Sequence, residues 1–379
     1  MLSTVFTLDY EIHGNGDGDP LELMVAPTER LLRLFDEYGA RLTIMADVAE
    51  ILKFKEHALS TGRDGFSYER IEQQLKQAVI RGHDVQLHIH SSYFNARLEK
   101  GGWRQDWSEY DFARLPAHRI DWMVLRGKEY LETLLGSVDS AYRCIAFRAA
   151  NWSISPSANV VAALLRNQIR IDTSVFKYGQ RKGLVQFDYT GAHSALEPWP
   201  ANAEDICERD DAGQLWEFPI YAELRGVLTF ATPQRLHRAF VGRQHRVSAG
   251  ARPAGAGAER PAQSRWAALR SALGRHAWKA DFNQCSSVQL INALERAHQR
   301  HGGSAVTLPF VLIGHSKLFT RYNEGTLRGF LAHVRLHPDR FAFGRFGDFP
   351  LPDAPSAEGP ALPSAVLGHT DCLDLTTAR

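Results

Sequence analysis

The feature that most limits the fold is a repeating arrangement. Short apolar strands alternate with amphipathic helical stretches, and five of the strands run into an ionisable residue at the C-terminal end. Strands are predicted at 2–8, 41–45, 84–90, 144–148, 169–172, 215–220 and 306–313, because these runs are apolar and bounded by turn-forming residues. Helices are predicted at 27–38, 68–80, 117–135, 155–166, 287–299 and 324–336. The first has Pro27 near its start and Gly39 just past its end, and the second is closed by Gly82, the usual placement of these residues at helix termini. Alternation of this kind implies an α/β fold with a largely parallel sheet or barrel.

Side chains alternate across a strand, so Thr7, Asp9 and Glu11 share one face of the first. In Val85-Gln86-Leu87-His88-Ile89-His90 the apolar residues take one face, and Gln86, His88 and His90 take the other. The strand ending at Arg148, the strand ending at Asp172 and the run Phe310-Val311-Leu312-Ile313-Gly314, which leads into His315, repeat the pattern. In an α/β barrel these C-terminal strand ends form one rim, where catalytic residues gather. Two imidazoles plus a carboxylate make a three-ligand set that leaves a position open on a hydrolytic zinc ion. His83 sits at the opposite end of its strand and is read as structural.

Composition narrows the partners. The formal net charge is +1, so the total gives no reason to expect nucleic acid. The charge is uneven, however. Residues 235–279 carry ten Arg/Lys against one acid, Glu259, a local +9 that leaves −8 on the rest. Cysteines 144, 207, 285 and 372 form no CxxC pair and are expected to be reduced thiols. The first residues lack the basic and apolar regions of a secretory signal, and no stretch approaches eighteen uninterrupted apolar residues. A cytoplasmic protein is expected on both counts.

The order and wording of these segments resemble the polysaccharide deacetylases with a NodB-type domain, carbohydrate esterase family 4. Their Thr-Phe-Asp-Asp-Gly motif corresponds to Thr7-Leu8-Asp9-Tyr10-Glu11, with the second acid displaced by one residue. Their histidine motif corresponds to Gly82-His83-Asp84-Val85-Gln86-Leu87-His88-Ile89-His90. The usual second histidine position is Ser92 here, and His90 takes its place. Phe147-Arg148-Ala149-Ala150-Asn151-Trp152 stands for the arginine motif, Ile171-Asp172-Thr173-Ser174 for the fourth region, and Leu312-Ile313-Gly314-His315 for the last. The resemblance spans about residues 3–346, excluding the basic insertion. It implies a distorted or incomplete (β/α) barrel over 1–349, interrupted at about 235–279, with a loosely packed extension at 350–379.

The resemblance also implies a chemistry. Zn²⁺, or another divalent transition metal, would be held by Glu11, His88 and His90. Asp9 would act as general base, with Arg148 keeping it ionised, and His315 as general acid. Asp172 would either orient His315 or cap the following turn. The implied reaction is removal of an N-acyl group, above all N-acetyl, from a sugar during synthesis of a surface polysaccharide such as O-antigen or capsule. The alternatives are a deformylase or deacetylase of a small N-acyl sugar or peptidoglycan fragment, and a catalytically silent glycan binder. Trp152, Trp103, Tyr110 and Trp107 are candidates for stacking on sugar rings; for the last three, core or surface packing is the competing reading.

Within the insertion, residues 264–279 place Trp266, Leu269, Leu273 and Trp278 near one side of a helix, with Arg265, Arg270, Arg275 and Lys279 around it. A basic amphipathic helix of this kind suits an anionic membrane surface, and with it a lipid-linked substrate at the inner face. A solvated lid or a helix packed on the barrel is the competing expectation.

Overall fold

The N-terminal residues form a central strand. Leu2–Tyr10 (β1) is buried along its whole length, as a parallel strand covered on both faces must be. Leu42–Asp47 (β2), Asp84–Ile89 (β3), Ala146–Ala149 (β6) and Ile171–Asp172 (β7) follow it in the sheet. The hairpin Arg97–Glu99 (β4) and Gly102–Arg104 (β5) interrupts the series, as does a second hairpin, Gln180–Arg181 (β8) and Phe187–Asp188 (β9). Trp199–Pro200 (β10) and Trp216–Glu217 (β11) complete one side of the sheet, Leu308–His315 (β14) the other, and Phe341–Phe343 (β15) pairs with the start of β1. Ala222–Gly226 (β12) and Arg275–Lys279 (β13) form a separate antiparallel pair. Helices are Ala26–Tyr38 (α1), Val48–Thr61 (α2), Tyr68–Ile80 (α3), Ala117–Gly136 (α4), Ala158–Arg166 (α5), Ser287–His301 (α6) and Arg321–Leu336 (α7). This computed structural model describes residues 1–99, 102–233 and 274–352, with Met1–Phe349 as one compact unit.

The sheet order is β10-β11-β7-β6-β3-β2-β1-β14, parallel except for β10–β11. The two sides meet. Ile220, three residues beyond β11, forms a parallel bridge with Val311 of β14, and the Tyr221 amide donates to the Val311 carbonyl at 3.0 Å. The predicted 215–220 strand is therefore divided: Trp216–Glu217 pairs with β7, and Ile220 pairs across the seam. The result is the expected distorted (β/α) barrel. At the seam Phe282 packs so closely that a Cβ on Gly314 would come within 2.1 Å of its ring, so the glycine of the last motif is a steric requirement.

Helix ends follow the sequence signals where those exist. Gly39 closes α1 with φ +66°, a left-handed cap that glycine adopts readily. Helix α5 begins at Ala158 rather than 155, since Pro156 lacks an amide proton and suits the segment ahead of the helix. Helix α2 has no counterpart among the predicted helices. It starts directly from β2, and Asp47 both ends the strand and caps the helix, its Oδ1 accepting from the Ala49 amide at 3.2 Å.

The basic insertion departs from expectation where it is described. Residues Arg275–Lys279 form β13, not the end of a helix, and Trp278 is buried. Its indole is therefore unavailable to a membrane, and the amphipathic face drawn through residue 278 is not formed. The remainder of that expectation, 264–273, lies outside the described residues. No helix among the described residues is long and apolar enough to cross a membrane.

His83 is a structural joint, as its place at the far end of the strand predicts. Its Nδ1 accepts from the Leu42 amide at 3.2 Å, and Nε2 donates to Asp36 Oδ1 at 3.0 Å, so the neutral ring ties β2 to α1. Burial pushes its pKa down to about 4, against the partial opposition of Asp36. A histidine lowered in the folded state contributes stability above its unfolded value and loses it as pH falls through the folded one. The contribution, at most about 3 kcal/mol, is lost between pH 6.5 and about 4. Neighbouring Asp84 is raised to about 6 by burial and acts in the opposite direction over much of the same window. The expected result is thus a difference: in urea titrations, His83→Gln loses stability relative to wild type at pH 7, and the gap closes toward pH 4.

Candidate active site

The parallel register assembles the site. Asp9 lies opposite His315 on β14, while Asp47, His88 and Arg148 are successive neighbours across β2, β3 and β6. Residues in register on adjacent strands point to the same side of a sheet, so side chains distant in sequence converge at the C-terminal rim. All five are buried except the half-buried His315.

Asp9 is held from two directions. Its Oδ1 accepts from Arg148 Nη1 at 2.7 Å, and Oδ2 lies 3.5 Å from His315 Nε2. Arg148, fully buried, also donates to the Thr173 carbonyl at 2.9 Å and to Thr173 Oγ1 at 3.3 Å. Burial raises the Asp9 pKa, but Arg148, followed by His88 and His315, outweighs it and holds the carboxylate below its ordinary value. His315 moves down as well: burial disfavours its charged form more than Asp9 and Glu11 favour it. The His315 amide donates to Asn283 Oδ1 at 2.6 Å, and among the described residues its Nδ1 has no hydrogen-bond partner.

The two oxygens of Glu11 have separate tasks. Oε2 lies 3.3 Å from His88 Nε2 and 3.1 Å from His90 Nδ1, whereas Oε1 accepts from Lys317 Nζ at 2.6 Å. Burial again raises the carboxyl pKa, and Lys317, His90 and His88 more than reverse it. His88 Nδ1 donates to the Arg148 carbonyl at 2.8 Å, which fixes the tautomer and leaves the Nε2 lone pair facing Glu11. His90 Nδ1 lies 2.7 Å from Asp47 Oδ2. With that proton given to Asp47, Nε2 carries the ring's available lone pair.

This donor set fits a divalent transition-metal ion. Glu11, His88 and His90 offer ligand atoms within 4.8 Å of one another. Tetrahedral zinc with bonds of about 2.0–2.2 Å sets its ligands about 3.3–3.5 Å apart, which matches the 3.3 Å between Glu11 Oε2 and His88 Nε2. The 3.1 Å approach of His90 is through Nδ1, the atom that also faces Asp47. The anchoring of each Nδ1 by a carbonyl or carboxylate is the usual second layer around metal-binding imidazoles. A second set, Asp47, Glu50 and His90, meets the same distance criterion, but hydrogen bonds already engage it. Asp47 accepts from Ala49 and His90, and Glu50 Oε2 accepts from the Ile12 amide at 2.9 Å. Burial, with Asp47 and Glu11 nearby, pushes the Glu50 carboxyl well above its ordinary range.

Other predicted residues have different surroundings. Asp172 accepts from the Ser174 amide and hydroxyl at 2.9 and 2.8 Å. Burial raises its pKa, against an opposing hydrogen bond with Glu217. The charges reaching His315 are instead those of Asp9, Glu11, Lys317 and Asp281, so Asp172 serves the turn behind Arg148. Trp103 is buried among Phe54 and Phe66, with ring centroids at 5.9 and 5.1 Å, and packs in the core rather than presenting a sugar platform. Tyr110 donates to Asn151 Oδ1 at 3.3 Å and leans on Trp107. Trp152, half-buried, lies edge-on to His315 with ring centroids 6.5 Å apart, and Lys279 Nζ sits 3.4 Å above its ring.

Asp47, Glu50 and Lys317 were not anticipated from sequence. Asp47 was within reach of the strand-end rule, because Ile44-Met45-Ala46-Asp47 repeats the same apolar-to-acid pattern. Nothing local marks Lys317, whose role depends on a carboxylate 306 positions away.

No family model matches the chain, and no curated protein matches it. Among solved structures, a protein from Parabacteroides distasonis assigned as a glycoside hydrolase/deacetylase shares its architecture. The TM-score is 0.54 at 12% identity, over 91% of this chain and 70% of that one. A protein assigned as a polysaccharide deacetylase from Mycobacterium smegmatis matches at TM-score 0.46 and 14% identity, over 92% and 88%. A family 4 carbohydrate esterase from Streptomyces lividans matches at 0.36 and 8%, over 90% and 91%. The chain has a distorted (β/α)-barrel fold, shared with the Parabacteroides distasonis glycoside hydrolase/deacetylase structure.

Proposed function

We propose that this protein is a metal-dependent hydrolase that removes an N-acyl group, N-acetyl first among them, from an amino sugar of a surface polysaccharide or its precursor. The observation carrying this reading is the pairing of a charge-supported Asp9–His315 couple with the Glu11, His88 and His90 donor set at one barrel rim. The sugar and its biosynthetic setting come from the motif resemblance.

A bound divalent ion supplies Lewis acidity toward the amide carbonyl and the attacking water. Asp9 takes the proton as water adds to the carbonyl carbon, and Arg148 keeps that carboxylate ionised beforehand. When the C–N bond breaks, the amine nitrogen needs a proton, since an amide anion is a very poor leaving group. Burial favours the neutral form of His315, and from that form it gives this proton only after receiving one. Asp9 Oδ2, 3.5 Å from Nε2, is placed to pass on the proton it collected. The products are a free amine and the carboxylic acid.

A catalytically silent glycan binder is the second reading. It is favoured by the direct contacts that already satisfy Glu11 and His90, through Lys317 and Asp47. Metal content and acetate release from N-acetylated sugars, measured on the purified full chain, separate the two. Stoichiometric zinc with release that Asp9→Asn removes supports the hydrolase. Absence of both metal uptake and turnover across free, nucleotide-linked and lipid-linked N-acetyl sugars would leave the binder.

A further inference from the structure

We propose that Lys317 is a built-in counter-ion for Glu11, which confines this carboxylate to one free oxygen and opposes the divalent ion, so that the ion is held weakly and exchanges readily. The inference rests on the metal reading above and concerns how tightly the ion is held.

Its first support is placement. Lys317 follows β14 by two residues, and Ser316 Oγ lies 3.4 Å from both the amide and the carbonyl oxygen of Glu11. Lys317 Nζ then reaches Glu11 Oε1 at 2.6 Å and the Ile12 carbonyl at 2.9 Å. With 13% of its side chain exposed, the ammonium group has exchanged much of its hydration for these two acceptors. Burial on that scale stabilises a charge only when the partner is fixed.

The second support is the division of Glu11. Oε1 belongs to the lysine, and only Oε2 faces the two imidazoles. Bidentate ligation by this residue is closed while the lysine is in place.

The third is electrostatic. Glu11 and Asp47 flank one imidazole, His90 Nδ1 lying 3.1 Å from Glu11 Oε2 and 2.7 Å from Asp47 Oδ2. Lys317 is the permanent cation in direct contact with Glu11 among the described residues, so it keeps the metal-free site from accumulating negative charge. The same positive charge stands one carboxylate group away from any ion bound at Oε2. At an interior effective dielectric of about 20, such repulsion is equivalent to more than a thousandfold in affinity before screening. Loss of a hydrogen bond to a metal ligand weakens binding by only about 10–100-fold. Repulsion therefore decides the sign: removing the lysine charge tightens metal binding and loosens the metal-free fold.

The test uses the full chain stripped of metal, titrated with zinc against a chromophoric chelator and melted with and without zinc. Lys317→Met is expected to bind zinc at least 10-fold more tightly than wild type. It should melt lower without metal and gain more from zinc. Lys317→Arg, which keeps the charge, should stay within about 3-fold of wild type. If Lys317→Met does not fold, Lys317→Gln, with its amide donor retained, carries the same expectation. Wild-type binding with no gain in the uncharged variant overturns this inference alone. Failure of the wild type to bind zinc overturns the metal reading, and the inference with it.

Discussion

Asp9→Asn is expected to reduce amide hydrolysis by about 10³-fold, within the 10²–10⁴ range for removal of a general base. The substitution preserves shape, and the amide can still accept from Arg148 through its oxygen. It cannot take a proton from water, and it cannot recharge His315, 3.5 Å away. The loss should therefore fall on kcat, with little change in KM. Arg148 loses its ionic partner but keeps Thr173 as an acceptor at 2.9 Å, so the variant should fold, with a lower melting temperature. Single-turnover acetate release on folded, zinc-loaded protein is the measurement. A variant within tenfold of wild type would remove Asp9 from the chemistry.

Arg148→Met should be the most destabilising of the rim substitutions. It leaves Asp9 buried without its 2.7 Å partner, and breaking a buried ion pair from one side costs about 3–5 kcal/mol. The pH dependence gives a second, independent readout. In wild type the Asp9 pKa is depressed: burial raises it, and the Arg148 guanidinium opposes burial more strongly than any other neighbouring charge. A carboxylate lowered in the folded state contributes stability above its unfolded value of 3.8 and loses it as pH falls through the folded one. Without Arg148 burial dominates, and the Asp9 pKa climbs. The difference in stability between wild type and variant should be largest at neutral pH and shrink in acid. In the same variant the acidic limb of the rate profile should move to higher pH. Denaturant titrations at several pH values and a kcat/KM profile check the two together. An unmoved acidic limb would show that another group sets it.

Both expectations concern residues that the sequence already singled out, and the reason is periodicity. Two-residue alternation puts Asp9 and Glu11 on one face and His88 and His90 on another, whatever the rest of the chain does. The parallel α/β pattern then sends all these strand ends to one rim. Asp47 obeys the same rule, but its strand passes into α2 without a break, so the acid reads equally well as an ordinary helix cap. It is a cap, and it also anchors His90.

Other features were not legible because no local signal encodes them. Asp172, at its strand end, looks the same in sequence whether it faces His315 or Ser174; in the fold its two oxygens accept from the Ser174 amide and hydroxyl. Trp103 lies in a polar connection, yet Phe54 and Phe66 enclose it. The segment around Trp278 has helical periodicity on paper, but pairing with β12 makes it a strand, as tertiary contacts override propensity in short segments.

The sequence alone determined the α/β class with a largely parallel sheet or barrel, most of its central strands and helices, and several of the residue types at the rim, because these follow from periodicities of 2 and 3.6 and from helix-end chemistry. The distorted barrel was implied by the motif resemblance. Tertiary structure decided which rim residues meet. The closure of the barrel through Ile220 and Val311, the Asp47–His90 contact and the Lys317–Glu11 pair all depend on strand register and sheet curvature. Those are properties of the assembled sheet, where a displacement of a few ångströms exchanges a hydrogen-bonded partner for none.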